Sequence, residues 1–159
     1  MKKFLILLSL AIPALTFVSC SDDDDLPDVD FEMTFENATV VDGTVYVVQG
    51  QEFKVSGITA TNNETDKPAA LTAANYYWDY LYVGTAVQPP YAFEFEVSET
   101  MPVGRHILEV EGTLIALDKS PAFAVISNDV MVVASADDIP EATGPAKIHV
   151  KASVSNNSK

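Results

Sequence analysis

The stretch Tyr91-Ala92-Phe93-Glu94-Phe95-Glu96-Val97 has large apolar residues at every odd position and small or acidic ones at every even position. Side chains swap faces at each residue only in a β-strand, so this segment has one face for a core and one for water. The chain from Phe31 onward continues in the same style. Short alternating runs are parted by turn residues, and no stretch shows the 3.6-residue period of a helix. Phe31-Glu32-Met33-Thr34-Phe35 alternates. The turn dipeptide Asp42-Gly43 leads into the β-branched run Thr44 to Gln49, closed by Gly50. Glu52 to Thr61 carries Phe53, Val55 and Ile58, with Gly57 as a candidate bulge. A polar loop from Thr61 to Pro68 follows. Asn75 to Thr85 reads as an aromatic strand, a turn near Asp79 and a second short strand, after which Pro89-Pro90 restarts the chain. Beyond the Met101-Pro102-Val103-Gly104 turn, Arg105 to Ile115 is a strand whose inward set is His106, Leu108 and Val110. Val125-Ile126 and Val130 to Val133 supply the last one. Turn signals roughly 8–12 residues apart predict an all-β fold, a sandwich of about seven antiparallel strands.

The N-terminus obeys different rules. Lys2-Lys3 precedes Phe4 to Val18, a run without charge broken only by Ser9, Pro13 and Thr16. At about 15 residues it is too short for a bilayer core, which needs about 20, and suits the apolar region of an export signal. Cleavage before Cys20 would leave Ser19 and Phe17 at the positions where ordinary signal peptides want small residues, and Phe17 fits badly. Cys20 is the chain's one cysteine, so no intrachain disulfide and no cysteine-based zinc site can form.

Charge narrows the partners. The formal net charge is −14; losing Lys2 and Lys3 with the signal takes Lys+Arg from 9 to 7 against 23 Asp+Glu, which makes −16. Such a surface repels DNA, RNA and anionic headgroups, which argues against a nucleic-acid role. The run Ser21-Asp22-Asp23-Asp24-Asp25 repels itself and stays extended. Residues Ser21 to Asp30 can hold a domain up to roughly 30 Å from an anchor.

Phe17-Val18-Ser19-Cys20 resembles a lipobox, with Phe17 where leucine is usual. The resemblance implies a bacterial lipoprotein whose Cys20 becomes the acylated first residue. Two or three acyl chains make such attachment stable. Asp22, Asp23, Asp24 and Asp25 resemble the acidic export signal of surface lipoproteins in the Bacteroidetes, which implies the outer face of the outer membrane. A solvated spacer is the plainer reading of the same residues. Further on, Trp78-Asp79, Val83-Gly84-Thr85, Pro90-Tyr91-Ala92-Phe93 and Gly104-Arg105-His106-Ile107-Leu108-Glu109-Val110 resemble, in order, the pattern of bacterial Ig-like domains over about Asn75 to Val110. Tyr80 stands where that pattern has glycine. A two-residue type I′ turn wants positive φ there, which a bulky residue resists, so the hairpin is expected to be longer or differently shaped.

Parity sorts the aromatic cluster. Tyr76 and Trp78 share the core face, Tyr77 faces outward, and Tyr80 lies at the turn. Tyr82 stays unplaced, because the turn resets the alternation. Tyr77, Tyr80 and Tyr82 are the candidate ligand-binding residues, since aromatic faces stack on apolar sugar faces; unliganded sheet-surface aromatics are the alternative. His106 is read as structural, its ring nitrogens within reach of loop carbonyls. No nucleophile or carboxylate pair stands at a spacing that supports catalysis. Asp118, Asp129, Asp137, Asp138 and Glu141 lack the spacing of a calcium loop and are read as solvated charge.

The expected organisation is a signal peptide at 1–19, a lipidated cysteine and acidic tether at 20–30, an Ig-like β-sandwich at 31–134 and a tail at 135–159. In that tail Ile148, Val150, Ala152 and Val154 alternate and allow one extra edge strand. The expected function is a cell-surface lipoprotein carrying a non-catalytic binding or adhesion module. Its partners would be the outer membrane, through the lipid anchor, and a surface glycan or envelope protein. The alternative is a structural accessory or spacer subunit of an envelope complex. No enzymatic activity, metal or cofactor is expected beyond the acyl chains on Cys20.

Overall fold

The computed structural model describes residues 26–64, 67–117 and 119–156. The segment 1–19 expected to be a signal peptide, Cys20, the run Asp22 to Asp25, and Asp118 lie outside the described residues. In chain order the strands are β1 (Val29–Glu36), β2 (Thr39–Val41), β3 (Thr44–Val48), β4 (Glu52–Asn62), β5 (Ala69–Leu71), β6 (Ala74–Trp78), β7 (Leu81–Ala86), β8 (Phe93–Glu96), β9 (Gly104–Ala116), β10 (Ala122–Val133), β11 (Lys147–Lys151) and β12 (Ser153–Ser155). Among the described residues a 3-10 turn, Ala136–Asp138, precedes β11.

Two sheets result. The first has the order β11-β1-β4-β8; the second runs β2-β3-β10-β9-β6-β7, with β12 added to β10 and β5 to β9. The chain leaves the second sheet for β4, for β8 and for β11, returning each time, so neighbours in sequence are split between layers. This is an Ig-like β-sandwich. Alternation builds it: Val29, Phe31, Met33 and Phe35 of β1 are buried, as are His106, Leu108, Val110 and Leu114 of β9. Phe31, Phe53 and Val55 of one sheet meet Tyr76, Leu108 and Ile126 of the other in one apolar cluster.

Several features differ from a plain seven-strand antiparallel reading. β2, β5 and β12 have three residues each, too few to show alternation in sequence. β3 pairs parallel to β10, Val45 beside Val130, a long-range contact with no local signature. β1 begins at Val29, inside the stretch read as tether, because Val29 already points into the core. The C-terminal segment supplies an edge strand to each sheet, β11 on β1 and β12 on β10, with Ile148 buried. A bulge in β4 falls at Ser56, beside Gly57: Thr34 lies opposite Gly57 and Phe35 opposite Val55.

Candidate functional site

The site region is the β6–β7 hairpin and the face of the second sheet around it. Trp78 pairs with Leu81, so the loop between them is Asp79-Tyr80 alone. Both residues have positive φ, 47° and 67°, as a type I′ turn requires. The expectation of a longer hairpin is therefore wrong. Asp79 is the reason. Its Oδ1 accepts the Ile107 backbone N–H at 2.9 Å and its Oδ2 accepts His106 Nδ1–H at 2.7 Å, while its own N–H donates to the Ile107 carbonyl at 2.9 Å. These bonds over-determine the turn and offset the cost of a left-handed bulky residue, about 1–2 kcal/mol.

His106 points inward, as its parity requires, and is buried. Nδ1 donates to the Asp79 carboxylate, and Nε2 donates to the Pro102 carbonyl at 2.8 Å. Both partners are acceptors, so the two bonds are made together only when both ring nitrogens carry protons and the ring is an imidazolium. It lies 5.3 Å from the Trp78 ring, within cation–π range. Burial opposes the charge, but the hydrogen bond and charge of Asp79, with the Pro102 carbonyl, outweigh it and hold the pKa above the ordinary histidine value.

The three candidate tyrosines are not equivalent. Tyr77 stands opposite Tyr82 across β6 and β7, with ring centroids 5.7 Å apart and planes at 70°. That settles the face of Tyr82: a register shift in the β6–β7 ladder puts it outward beside Tyr77. Burial and the neighbouring Glu111, which accepts its hydroxyl, push the Tyr77 pKa up. Tyr82 Oη and Thr85 Oγ1 are 2.8 Å apart, and Thr85 donates to Asn75 Oδ1 at 2.6 Å. Tyr82 is 61 % exposed and Tyr80, at the apex, 68 %. No ring contact joins Tyr80 to the other two among the described residues. Tyr76 and Trp78 are in the core, with Tyr76 Oη donating to the Tyr91 carbonyl and Tyr91 Oη to that of Leu71.

Among the described residues, no group of three or more His, Cys, Asp or Glu is placed to hold a metal ion. Asp129 is engaged by Arg105 at 2.7 Å, and Asp138 closes a capping box with Ser135. One feature went unseen in the sequence. On the open side of the sandwich, between β7 and β8, lies an apolar cleft of about 320 Å³ lined by Phe53, Trp78, Leu81, Val83, Phe95 and Met101. Leu81 and Val83 follow the turn that resets parity, so their side could not be read.

Neither a protein-family model nor a curated protein matches the chain. A solved structure of fibronectin(III)-like modules of CbhA from Clostridium thermocellum is similar at 18% identity and a TM-score of 0.35, covering 64% of this chain and 97% of that one. The assignment to an Ig-like sandwich rests on the strand order itself.

Proposed function

We propose that the chain is a surface lipoprotein whose Ig-like domain binds a ligand, without catalysing a reaction, through the outward face of β6 and β7 and the turn between them. The observation that carries this reading is Tyr80. A large, 68 % exposed ring is kept at a left-handed position where glycine would cost less. A residue held against its backbone preference contributes little to stability there, and its ring is free to meet something else. Tyr77 and Tyr82 add an edge-to-face pair on the same hairpin, with Glu109 beside Tyr77 and Glu111 beside Asn75 on β9. Rings offer stacking to apolar sugar faces, and carboxylates accept from hydroxyls or from a partner's cations. A neutral glycan or a basic protein surface suits that set; an anionic polymer does not.

The test uses the mature chain without lipid, carrying Cys20→Ser, on an array of neutral glycans and against envelope extracts. Tyr77→Ala and Tyr80→Gly should each weaken binding by roughly tenfold, the loss of one stacking contact. Tyr80→Gly should also stabilise the fold by about 0.5–1 kcal/mol, because glycine adopts the turn without strain. Unchanged binding by both variants would remove this face as the site. A blank array with co-purification of an envelope protein that both substitutions leave intact would favour the spacer reading.

The export signal, Cys20 and the acidic run support a location on the outer face of the outer membrane. Proteinase K added to intact cells should then digest the protein, and Asp22 to Asp25 replaced by Ala should protect it. Protection of the unaltered chain would refute the surface location.

A further inference from the structure

The first sheet ends at β8, and three independent features of that edge agree on what could cover it. The first is backbone parity. Val97 donates its N–H to Gln51 at 3.0 Å and accepts from Gly50 at 2.7 Å, so its backbone groups address the β4 side. Backbone groups alternate sides along a strand, so Phe95 and Phe93 also address β4, opposite Phe53 and Val55. Glu94 and Glu96 therefore present their N–H and C=O groups to the open edge.

The second feature is charge. Glu96 lies directly opposite Glu52, and Glu94 opposite Lys54, whose amine sits 3.9 Å from Glu36. No ion pair engages Glu52, Glu94 or Glu96 among the described residues. Like charges facing each other across a sheet are destabilising, and the strip's one cation, Lys54, is turned to Glu36. The third is shape. Past the edge lies the apolar cleft, walled on its far side by β7, where Leu81 is 72 % and Val83 42 % exposed.

We propose that β8 accepts an extended segment of a partner protein in which basic and apolar residues alternate. The backbone of the segment would pair with Glu94 and Glu96. Its apolar side chains would enter the cleft against Leu81, Val83 and Phe95, and its cations would neutralise Glu52, Glu94 and Glu96. The opposite edge of the same sheet already shows this chemistry. There β11, Lys-Ile-His-Val-Lys, covers β1 with Ile148 inward, while Lys147 and His149 reach Glu32 at 2.8 and 3.1 Å and Lys151 reaches Asp28 at 3.4 Å. The chain's own acidic segment Ser21 to Asp25 has the wrong sign to occupy β8. A second copy pairing β8 with β8 would set glutamate against glutamate, so the same residues that invite a basic strand reject self-association. This surface shares β7 with the tyrosine face but lies on its other side, with Leu81 and Val83 lining the cleft and Tyr82 set against Tyr77, and it stands apart from the reading above.

The probe is a peptide of residues Ala146 to Ala152, titrated into the ¹⁵N-labelled mature chain carrying Cys20→Ser. Amide shifts should concentrate on β8, Leu81 and Val83, and affinity should fall at least tenfold in the double variant Glu94→Lys, Glu96→Lys. Tyr77→Ala should leave the peptide titration unchanged, which keeps this outcome separate from the fate of the tyrosine face. The same peptide with glutamate in place of both lysines should not bind. Three results would overturn the proposal: shifts centred away from β8, equal binding of the charge-reversed peptide, or an unaffected double variant that retains its fold by circular dichroism. Self-association of the chain through β8 would overturn the partner strand in favour of a second copy.

Discussion

Urea unfolding between about pH 6 and about pH 9 should show stability falling as the pH rises, with the fall absent in His106→Gln. The folded-state pKa of His106 lies above its ordinary value, held there by Asp79 and Pro102 against the opposing effect of burial. A group raised on folding contributes fully below its unfolded pKa, about 6.5, and loses that contribution as pH climbs through the folded value. Carboxylates finish titrating below this window, so its slope reports on histidine. Asp79→Ala at about pH 6 should cost about 2–3 kcal/mol, since it strips acceptors from a charged ring and from the Ile107 N–H. Asp79→Asn should cost less, because asparagine keeps an acceptor for Ile107 and tolerates positive φ, yet it should still abolish the slope. A flat wild-type profile would show that folding leaves the His106 pKa unshifted, and a slope that persists without His106 would assign it to another group; either result overturns the charged pair.

That pair shows where the sequence was legible and where it was not. His106 could be placed inward from the parity of Arg105 to Ile115, and carbonyl partners were foreseeable near a strand start. Asp79 could not be named as its partner, because the contact spans a sequence separation of 27 residues and depends on a turn whose positive φ a bulky Tyr80 disfavours. The same limit recurs. Tyr76, Trp78, Tyr91, Phe95 and Val97 sorted themselves by alternation, and the Asp42-Gly43 turn was visible because both residues favour the positive φ it adopts. Tyr82, Leu81 and Val83 did not sort, since a turn followed by a register shift breaks the count. β11 and β12 carried alternation too weak to separate from a tail, and only the apolar edge of β1 beside Ile148 decides the matter. Local pattern thus assigned faces within strands, whereas pairing between strands fixed the hairpin, the cleft and the charged edge.

Gly112→Ala should destabilise the domain by about 3 kcal/mol, near the top of the range for overpacking a core. The cause is a bulge that no local pattern announced. β5 pairs with β9 as Leu71 opposite Leu114, and β6 pairs with it as Asn75 opposite Glu111, so the registers differ by one residue. Thr72-Ala73 absorbs the extra residue, and the Ala73 carbonyl oxygen comes to rest 2.3 Å from where a Cβ on Gly112 would be. Leu71 Cδ2 would stand 3.3 Å away on the same side. Backbone held by β5 on one side and β6 on the other cannot withdraw without breaking pairs of both strands, including the Thr72 N–H to Thr113 carbonyl bond of 2.8 Å. Gly84→Ala offers the comparison. Its Cβ would also meet an atom at 2.3 Å, but that atom belongs to the ring of Phe93, a half-buried side chain beside the cleft. A ring with space beside it can shift, so Gly84→Ala should cost about 1–2 kcal/mol. Gly144→Ala, with nothing within 4 Å, should fall within about 0.5 kcal/mol of the parent. The ordering of the three in urea midpoints is the result to measure. If Gly112→Ala proves as mild as Gly144→Ala, the Ala73 carbonyl does not sit over β9 and the second sheet is joined differently between β5 and β6.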